Sequence, residues 1–285
     1  ANRWKRITKQ FLDISNSKII VDIGTGTGFV PLTIANLLTD KNIFICSDIS
    51  QQILGLAENN IKKQNFKCKF KFVKIENRIP LCLPFETNSV DVITMNSVLH
   101  HIYDIDSFLK EIDRILKPNS TIFIGHEPNR YFYENKFLWF NNLFLKSLTD
   151  PKFLIRKIGG KTNLRKFFKL IYHFIFKERR REYLDYSLVC EEINKILLSE
   201  GLIEKSLTPE EISKIVDIKA EEGFKFDLLF PDYRLLYFET YNHLSWVYIE
   251  HPKNFFIQRY EKYLNKKFPK HGSNFFVVYK KPYWR

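Results

Sequence analysis

Residues 19–29 of the 285-residue chain read IIVDIGTGTGF, and this segment is the strongest indication of the fold class. Its first five residues are apolar except for Asp22, which predicts a buried strand. The glycines at positions 24, 26 and 28 then predict a tight turn, because glycine adopts backbone angles that other residues avoid. Glycine also leaves no Cβ between the main chain and a ligand. A helical pattern follows, so the stretch predicts a strand, a ligand-binding loop and a helix.

The spacing of the glycines limits which ligand this loop can bind. A dinucleotide fingerprint, GxGxxG/A, would need a small residue at Phe29, and the bulky ring there disfavours a nicotinamide cofactor. Asp48 lies 20 residues beyond Gly28, after the predicted second strand, where an acidic residue binds ribose hydroxyls. As an alternative, Asp48 caps the next helix, since Ile49 and Ser50 lead into it. We favour ribose binding because the glycine loop precedes it.

Short β-branched runs alternate with helical patterns along the chain. Strands are predicted at 18–23, 43–47, 69–75, 90–95, 121–125, 226–229 and 274–279. Helices are predicted at 30–38, 51–63, 105–116 and 209–222. This alternation is typical of right-handed βαβ units and a parallel sheet. The predicted fold class is therefore α/β, with a doubly wound, mostly parallel, seven-stranded Rossmann-like sheet and a helical insertion.

Charge and aromatic side chains concentrate in residues 130–185. The chain has a net charge of +13, and this window holds 14 Lys or Arg, 5 Asp or Glu and 14 aromatic residues. Its own net charge of +9 leaves only about +4 for the rest of the chain. We therefore predict an α/β core at 1–128, a helical, aromatic and basic insertion at 129–208, and a C-terminal completion of the core at 209–285.

The insertion has two interpretations, and the sequence leaves both open. Its rings could line a large apolar pocket or form the insertion's own core; they are Trp139, Phe140, Phe144, Phe167, Phe168, Tyr172, Phe174 and Phe176. The basic run at 177–181 could be a solvated helix face or could contact phosphates or anionic lipid.

The cysteines and the start of the sequence bear on the compartment. The four cysteines have no CxxC spacing, so we expect neither a disulfide framework nor a zinc site. The first six residues lack the apolar run of a signal peptide, and no run of 18 uncharged apolar residues occurs. A cytoplasmic location is expected.

Four segments carry a resemblance to a known family: 21–29, 46–50, 84–101 and 114–119. On these segments the chain resembles the class I S-adenosylmethionine-dependent methyltransferases, in the group that acts on small molecules. Family members usually have two glycines after Pro118, where this chain has Asn119 and Ser120. The resemblance covers about residues 15–128, with a weaker match at 272–278.

The resemblance implies S-adenosylmethionine as the cofactor. It implies as binding residues Asp22, Gly24, Thr25, Gly26, Gly28, Asp48, Ile49, Glu76, Asn77 and Asn96. The glycines would approach the amino acid and ribose of the cofactor, with Asp22 supporting the loop and Asp48 binding the ribose hydroxyls. Either Glu76 or Asn77 would contact the adenine amine, although the usual Asp-Ala/Ser pattern is absent. Asn96 would lie near the methionine end.

Some acceptors of a methyl group must lose a proton, and a base is then needed. The candidates are His101, His126, Glu127 and His243, with His100 also considered beside His101. The first three follow the fourth and fifth strands, at the edge where open α/β sheets bind ligands. As an alternative, the histidines cap loops or bond to the backbone. Their spacing is not that of metal ligands, so no metal is expected.

The expected function is methyl transfer to a bulky or partly apolar small-molecule, lipid or peptide-like acceptor. Methylation of nucleic-acid bases is disfavoured, because residues 96–99 lack both the Asn/Asp-Pro-Pro-aromatic and the Pro-Cys motifs. Two alternatives stay open: an RNA methyltransferase that binds RNA through the basic insertion, and a non-catalytic binding subunit with this fold. Peripheral membrane contact through the insertion is a further hypothesis. The sequence does not determine the oligomeric state.

Overall fold

The computed structural model describes residues 1–13, 16–76, 82–102, 104–149, 194–195, 197–199, 201–208, 223–245 and 254–283. Two compact units contain them. The first comprises Ala1–Tyr131, Lys219–Tyr241 and Asn274–Arg285, and the second comprises Phe132–Ile218 and Asn242–Ser273. Among the described residues, none of the helices is long and apolar enough to cross a membrane.

The first unit is built on a seven-stranded sheet of order β3-β2-β1-β4-β5-β7-β6. Its strands are β1 (Ile19–Ile23), β2 (Ile43–Asp48), β3 (Lys69–Lys74), β4 (Val90–Asn96), β5 (Leu116–Pro128), β6 (Arg234–Tyr241) and β7 (Asn274–Lys280). Strands β1 to β5 pair in parallel, whereas β7 is antiparallel to β5 and β6. The predicted doubly wound, mostly parallel sheet is confirmed. Its strand order reverses between β1 and β4, which is where such sheets bind ligands.

Seven α-helices have defined bounds, and residues 194–195 and 197–199 are helical as well. The seven are α1 (Asn2–Phe11), α2 (Phe29–Ile34), α3 (Gln51–Lys62), α4 (Ile105–Ile115), α5 (Arg130–Glu134), α6 (Lys136–Thr149) and α7 (Phe255–Lys267). Side-chain caps fix the starts of three of them, including α7, where Asn254 accepts from the Phe256 and Ile257 amides. Ser50 accepts a hydrogen bond from the Ile53 amide at the start of α3, and Asp104 accepts one from the Ser107 amide at the start of α4. Such caps satisfy backbone donors that have no partner within the helix.

Apolar clusters cover both faces of the sheet. On β1, Val21 and Ile23 belong to one cluster, which also includes Phe108 of α4, and Ile20 belongs to the other, which includes Leu54 of α3. Successive side chains of a strand point to opposite faces, so one short strand feeds both cores. Burial on both faces explains why the parallel strands read as nearly continuous apolar runs.

Two elements of the first unit differ from the sequence prediction. Residues 226–229 form a turn, so the strand predicted there is wrong, and the sixth strand is Arg234–Tyr241 instead. Phe226 is fully buried within that turn, so its apolar character reflects burial and not strand pairing. Helix α1 was not predicted; its Trp4 packs edge-on against Phe276.

The second unit has its own small apolar core. Phe132, Leu138, Leu244 and Leu264 are buried together there. The predicted helix at 209–222 lies outside the described residues, as do residues 150–193, which make up most of the basic, aromatic window. The insertion at 129–208 and the completion at 209–285 therefore stay predictions.

Candidate functional site

The glycine loop follows β1 in a left-handed backbone conformation. The φ angles of Gly24, Gly26 and Gly28 are 67°, 56° and 98°. A Cβ on Gly24 would lie 2.6 Å from Cγ2 of Val98, so this glycine allows close packing of two loops. A Cβ on Gly26 would meet no atom within 4 Å. Gly26 therefore presents bare main chain to open space, as a loop that binds a ligand requires.

Asp22 supports this loop from within the protein. Its buried carboxylate accepts hydrogen bonds from the hydroxyls of Thr94 (2.6 Å) and Thr25 (2.9 Å). The Ser47 hydroxyl donates to the Asp22 carbonyl at 2.8 Å and so ties the ends of β1 and β2 together. Burial raises the pKa of Asp22 to about 7, because the hydroxyls only partly replace the lost hydration.

Asp48, the last residue of β2, joins the glycine loop to the start of α3. Its Oδ2 accepts a hydrogen bond from the Gly26 amide at 2.9 Å, and its Oδ1 accepts one from the Ser50 amide at 3.0 Å. The N-cap of α3 is Ser50, so the helix cap considered for Asp48 is wrong, and its role in ribose binding stays a prediction. Each carboxylate oxygen has a second lone pair, so Asp48 can still accept from ribose hydroxyls.

The remaining predicted cofactor residues lie at or beyond the strand ends. Ile49 and Glu76 are exposed, after β2 and β3 respectively, and Asn77 lies outside the described residues. Asn96 ends β4, and its Oδ1 accepts a hydrogen bond from Trp4 Nε1 at 2.9 Å. Because an indole N–H can only donate, this bond fixes the orientation of the Asn96 amide and leaves its NH2 group free to donate.

A β-bulge shapes the end of β5. The pairing of β5 with β7 shifts register between Gly125 and Glu127, and His126 at the bulge has a φ of 60°. The same edge holds Ser97, with a φ of 59°, whose amide donates to the Gly125 carbonyl at 3.0 Å. A bulge redirects the next side chain, and Glu127 is here fully buried.

The Glu127 carboxylate holds the loop that follows β4. Its Oε1 accepts hydrogen bonds from the amides of Val98 (2.5 Å) and Leu99 (2.9 Å). Its Oε2 lies 2.8 Å from Nδ1 of His100. Three nitrogens therefore converge on one buried carboxylate at the edge of the sheet where ligands bind.

The other two candidate groups of the first unit lie beside this carboxylate. His101 is exposed and packs against His100, with ring centroids 4.0 Å apart. Nδ1 of His126 lies 3.1 Å from the Tyr241 hydroxyl. Desolvation lowers the pKa of His126 despite the attraction of the Glu127 carboxylate. The Arg3 guanidinium lies 3.6 Å from the centre of the Tyr241 ring.

His243 belongs to the second unit and has a different environment. It is fully buried, with Nδ1 3.2 Å from Glu261 Oε1. Its Nε2 donates to the Phe268 carbonyl at 2.9 Å. Both ring nitrogens thus have protein partners, which is the arrangement of a histidine that stabilises a fold. The structure brings His101, His126 and Glu127 together, and His243 lies apart from them in sequence and unit.

Sequence reasoning missed three contributors to this site. Trp4 and Arg3 lie on α1, where nothing in the sequence pointed to a site, and Tyr241 ends the strand that was not predicted. The enrichment of 234–241 in aromatic residues and threonine is a signal that could have identified β6. The contact of His100 with Glu127 was harder to predict. The only indication in the sequence is that both residues lie near the ends of neighbouring parallel strands.

Comparison with known proteins identifies the domain. A family model described as "Methyltransferase domain" matches residues 14–152, which include the glycine loop, Asp48 and Glu127. This part of the chain is similar to methyltransferase domains, and the cofactor implied by its glycine loop and Asp48 is S-adenosylmethionine. The residues fit that cofactor, because Gly26 leaves a space that a Cβ would enter and Asp48 can accept from hydroxyls. In the described part of this methyltransferase, no group of three or more His, Cys, Asp or Glu could hold a metal ion.

Two curated relatives and one solved structure illustrate the similarity. The methyltransferase chain is 28% identical over 121 residues to a demethylmenaquinone methyltransferase of Lactobacillus johnsonii, covering 42% of this chain and 48% of the relative. It is 25% identical over 137 residues to a ubiquinone/menaquinone biosynthesis C-methyltransferase of Shewanella oneidensis, covering 46% of this chain and 53% of that relative. The chain thus spans about half the length of these relatives. A crystal structure of a SAM-dependent methyltransferase from Aquifex aeolicus is 15% identical, with a TM-score of 0.44 over 97% of this chain and 88% of that one.

Proposed function

We propose that this protein transfers a methyl group from S-adenosylmethionine to a bulky, partly apolar acceptor. The observation that carries the proposal is the 2.9 Å hydrogen bond from the Gly26 amide to Asp48, which holds an open glycine loop against an acidic strand end. That pairing lies beside β1, where the strand order reverses and ligands bind. The cofactor, when bound, supplies a methyl group that its sulfonium has already activated.

The chain's own residues have to bind the cofactor, orient it toward the acceptor and exclude water. Asp48 would accept from the ribose hydroxyls, and Gly26 would let the cofactor approach the main chain. Asn96, held by Trp4, would offer its NH2 group toward the methionine end. Glu76 or Asn77 would contact the adenine amine. None of these roles needs a covalent bond to the protein.

Two observations support a bulky acceptor. Residues 130–185 hold 14 aromatic side chains. The names of the curated relatives suggest a quinone ring as the first acceptor class to test. Such a ring with its apolar tail has the size and character that aromatic side chains would bind.

Calorimetry with S-adenosylmethionine and S-adenosylhomocysteine tests the cofactor site. Asp48→Asn should weaken binding at least about tenfold, since it removes the charge on the acceptor of the ribose hydroxyls. Asp106→Asn, which also removes one carboxylate charge but on the exposed face of α4, is the matched control and should leave binding unchanged. Equal binding by wild type and Asp48→Asn would contradict the assignment of Asp48.

Methyl transfer is then measured with radiolabelled S-adenosylmethionine and a reduced demethylmenaquinone with a short prenyl tail. Transfer to this quinol, and none to small polar alcohols and amines, is the expected result. Transfer only to the small polar acceptors would contradict the bulky-acceptor proposal. Cofactor binding without transfer to any acceptor would favour a non-catalytic binding subunit, and transfer to RNA would favour the RNA methyltransferase alternative.

A further inference from the structure

Glu127 and His100 form a carboxylate–imidazole pair at the carboxyl edge of the sheet. We propose that His100 is the general base of this methyltransferase and that Glu127 is its positioning residue. The inference rests on the proposed function, because it assigns the group that receives the acceptor's proton. Neither the family match nor the relatives' names assign a role to either residue.

The hydrogen bonds of Glu127 determine which nitrogen of His100 carries a proton. An ionised carboxylate can only accept, and Glu127 already accepts from two backbone amides. Its 2.8 Å contact with His100 Nδ1 therefore requires a proton on Nδ1. In the neutral ring the lone pair then lies on Nε2. Among the residues that the structure describes, none is hydrogen-bonded to this Nε2.

The backbone makes this arrangement rigid. The bulge at His126 turns Glu127 inward, and the same carboxylate fixes the amides of Val98 and Leu99. His100 follows directly, in the 3-10 turn Leu99–His101. Its side chain remains 17% exposed although Glu127 is fully buried. The pair thus combines a buried, preorganised carboxylate with a ring that a ligand can reach.

The site around His100 lies where an acceptor is expected. The turn follows Asn96, the last residue of β4, which we assign to the methionine end of the cofactor. The titratable groups that face His100 are Glu127 and His126 on β5 and His101 on its own turn. Glu127 stabilises the imidazolium that forms, whereas the two histidine rings are poor partners for a second positive charge.

The proton transfer is simple. The proton of the acceptor's O–H, N–H or acidic C–H group would move to Nε2 of His100, and the acceptor would keep the electron pair for its new bond to the methyl carbon. The bond from that carbon to the cofactor's sulfur would break, and its electron pair would stay on sulfur. The imidazolium donates from Nδ1 to Glu127 throughout, and it returns its second proton to solvent after the acceptor leaves. General base catalysis of this kind typically contributes about 10²–10⁴-fold in rate.

Nitrogen-15 NMR of protein labelled on its histidine rings tests the pairing without any acceptor. The His100 signals are identified by their absence in His100→Gln. We expect the Nδ1–H tautomer in the wild type and a shift toward Nε2–H in Glu127→Gln. His101→Gln is the matched control, since it removes the neighbouring ring and should leave the His100 tautomer unchanged. An Nε2–H tautomer for His100 in the wild type would overturn the proposal.

The rate measurement uses the quinol or whichever acceptor is methylated. His100→Gln should lower kcat by about 10²–10⁴-fold, with cofactor affinity within twofold of wild type. It should also abolish the fall in rate at acid pH that protonation of the base causes. Glu127→Gln should lower kcat as well, and urea unfolding shows how much of that loss is structural. A His100→Gln enzyme with wild-type kcat and pH profile would overturn the assignment.

The two proposals fail in distinguishable ways. Absence of cofactor binding would contradict the proposed function, whereas the NMR result would still decide whether Glu127 orients His100. Normal cofactor binding and methyl transfer in His100→Gln would contradict only the general base.

Discussion

Each of the two units contains a glutamate that accepts hydrogen bonds from two backbone amides and faces a histidine ring. In the first unit Glu127 accepts from the Val98 and Leu99 amides and from His100. In the second unit Glu261 accepts from the amides of His243 and Leu244 and faces the His243 ring. The two carboxylates thus have similar sets of partners, but the surroundings of Nε2 differ between His100 and His243.

The far nitrogen determines what each pair can do. Nε2 of His243 donates to the Phe268 carbonyl in a fully buried environment, so this ring links two segments of the second unit. The His100 side chain is 17% exposed, and none of the described residues is hydrogen-bonded to its Nε2. One carboxylate arrangement therefore stabilises a turn in one place and presents a proton acceptor in another. The residue type and the first partner alone do not distinguish the two.

The largest change in the free energy of unfolding is expected from removing the Glu261 carboxylate, which holds His243 in the second unit. Glu261→Ala leaves two buried amides without an acceptor, at about 1–3 kcal/mol each, and removes the partner of the buried His243 Nδ1, so the free energy of unfolding should fall by about 5 kcal/mol. Cofactor affinity should be unchanged, because its predicted ligands lie in the first unit. Urea unfolding followed by circular dichroism gives the first quantity and calorimetry the second.

The control for this change is Glu58→Ala, which removes an exposed ion pair with Lys62 on α3. Exposed pairs of this kind contribute about 0.5 kcal/mol. If Glu261→Ala were no more destabilising than Glu58→Ala, the view of His243 as a stabilising residue would be wrong.

The second prediction concerns a third buried carboxylate, Asp22, which accepts from two hydroxyls. Its pKa of about 7 in the folded protein, against 3.8 as the ordinary value, means that the folded state binds the proton more tightly. This contribution to stability is complete below pH 4 and is lost as pH rises through about 7. Its full size is on the order of 4 kcal/mol.

Asp22→Asn should therefore lose less stability than the wild type when pH is raised from 4 to 7. Urea midpoints measured across that range for both proteins decide the point. Parallel curves would show that the pKa of Asp22 is not raised, and the two hydroxyls would then replace the lost hydration fully.

The third change acts on the contact between the glycine loop and the loop that Glu127 holds. Gly24→Ala places a Cβ 2.6 Å from Val98, whose amide Glu127 holds. Left-handed strain and overpacking together should cost about 3 kcal/mol. Gly26→Ala has the same backbone strain in open space and should cost only about 1 kcal/mol, yet it should weaken cofactor binding. Equal stability losses in the two variants would argue against the contact between the loops.

The smallest change in stability is expected at His126, in the β-bulge beside Glu127 and His100. Desolvation lowers the pKa of His126 below its ordinary value of 6.5, so the wild type should lose stability as pH falls below about 6.5. His126→Asn, which tolerates a positive φ, should lack this loss. We expect a difference of about 0.5 kcal/mol between pH 7 and pH 5, small because the exposed ring is screened by solvent. Thermal unfolding at both pH values measures it, with His101→Asn as control.

Most of the sheet was predictable from the sequence. The runs at 19–23 and 43–47 are apolar because both faces of those strands are covered, and burial of this kind shows directly in composition. The strand at 226–229 was predicted wrongly because a buried turn gives the same apolar signal. Helix α1 was missed because its buried face needs partners from distant strands, such as Phe123 and Phe276.

The candidate site was predictable as a set of residues but not as a set of contacts. Gly26 and Asp48 were expected together, since both end neighbouring parallel strands. His126 and Glu127 were expected to be equivalent candidates, but the bulge turns one outward and buries the other. A register shift of this kind depends on how β5 pairs with β7, strands separated by more than 140 residues.

The α/β class, the glycine loop and the acidic end of β2 were predictable from local periodicity and residue type. Which histidine could act as a base depends on the tertiary structure. That choice depends on which carboxylate reaches Nδ1 and on what lies beyond Nε2, and both are set by segments far apart in the chain. His100 and His243 have almost the same first partner, and only the packing around each ring separates a proton acceptor from a structural link.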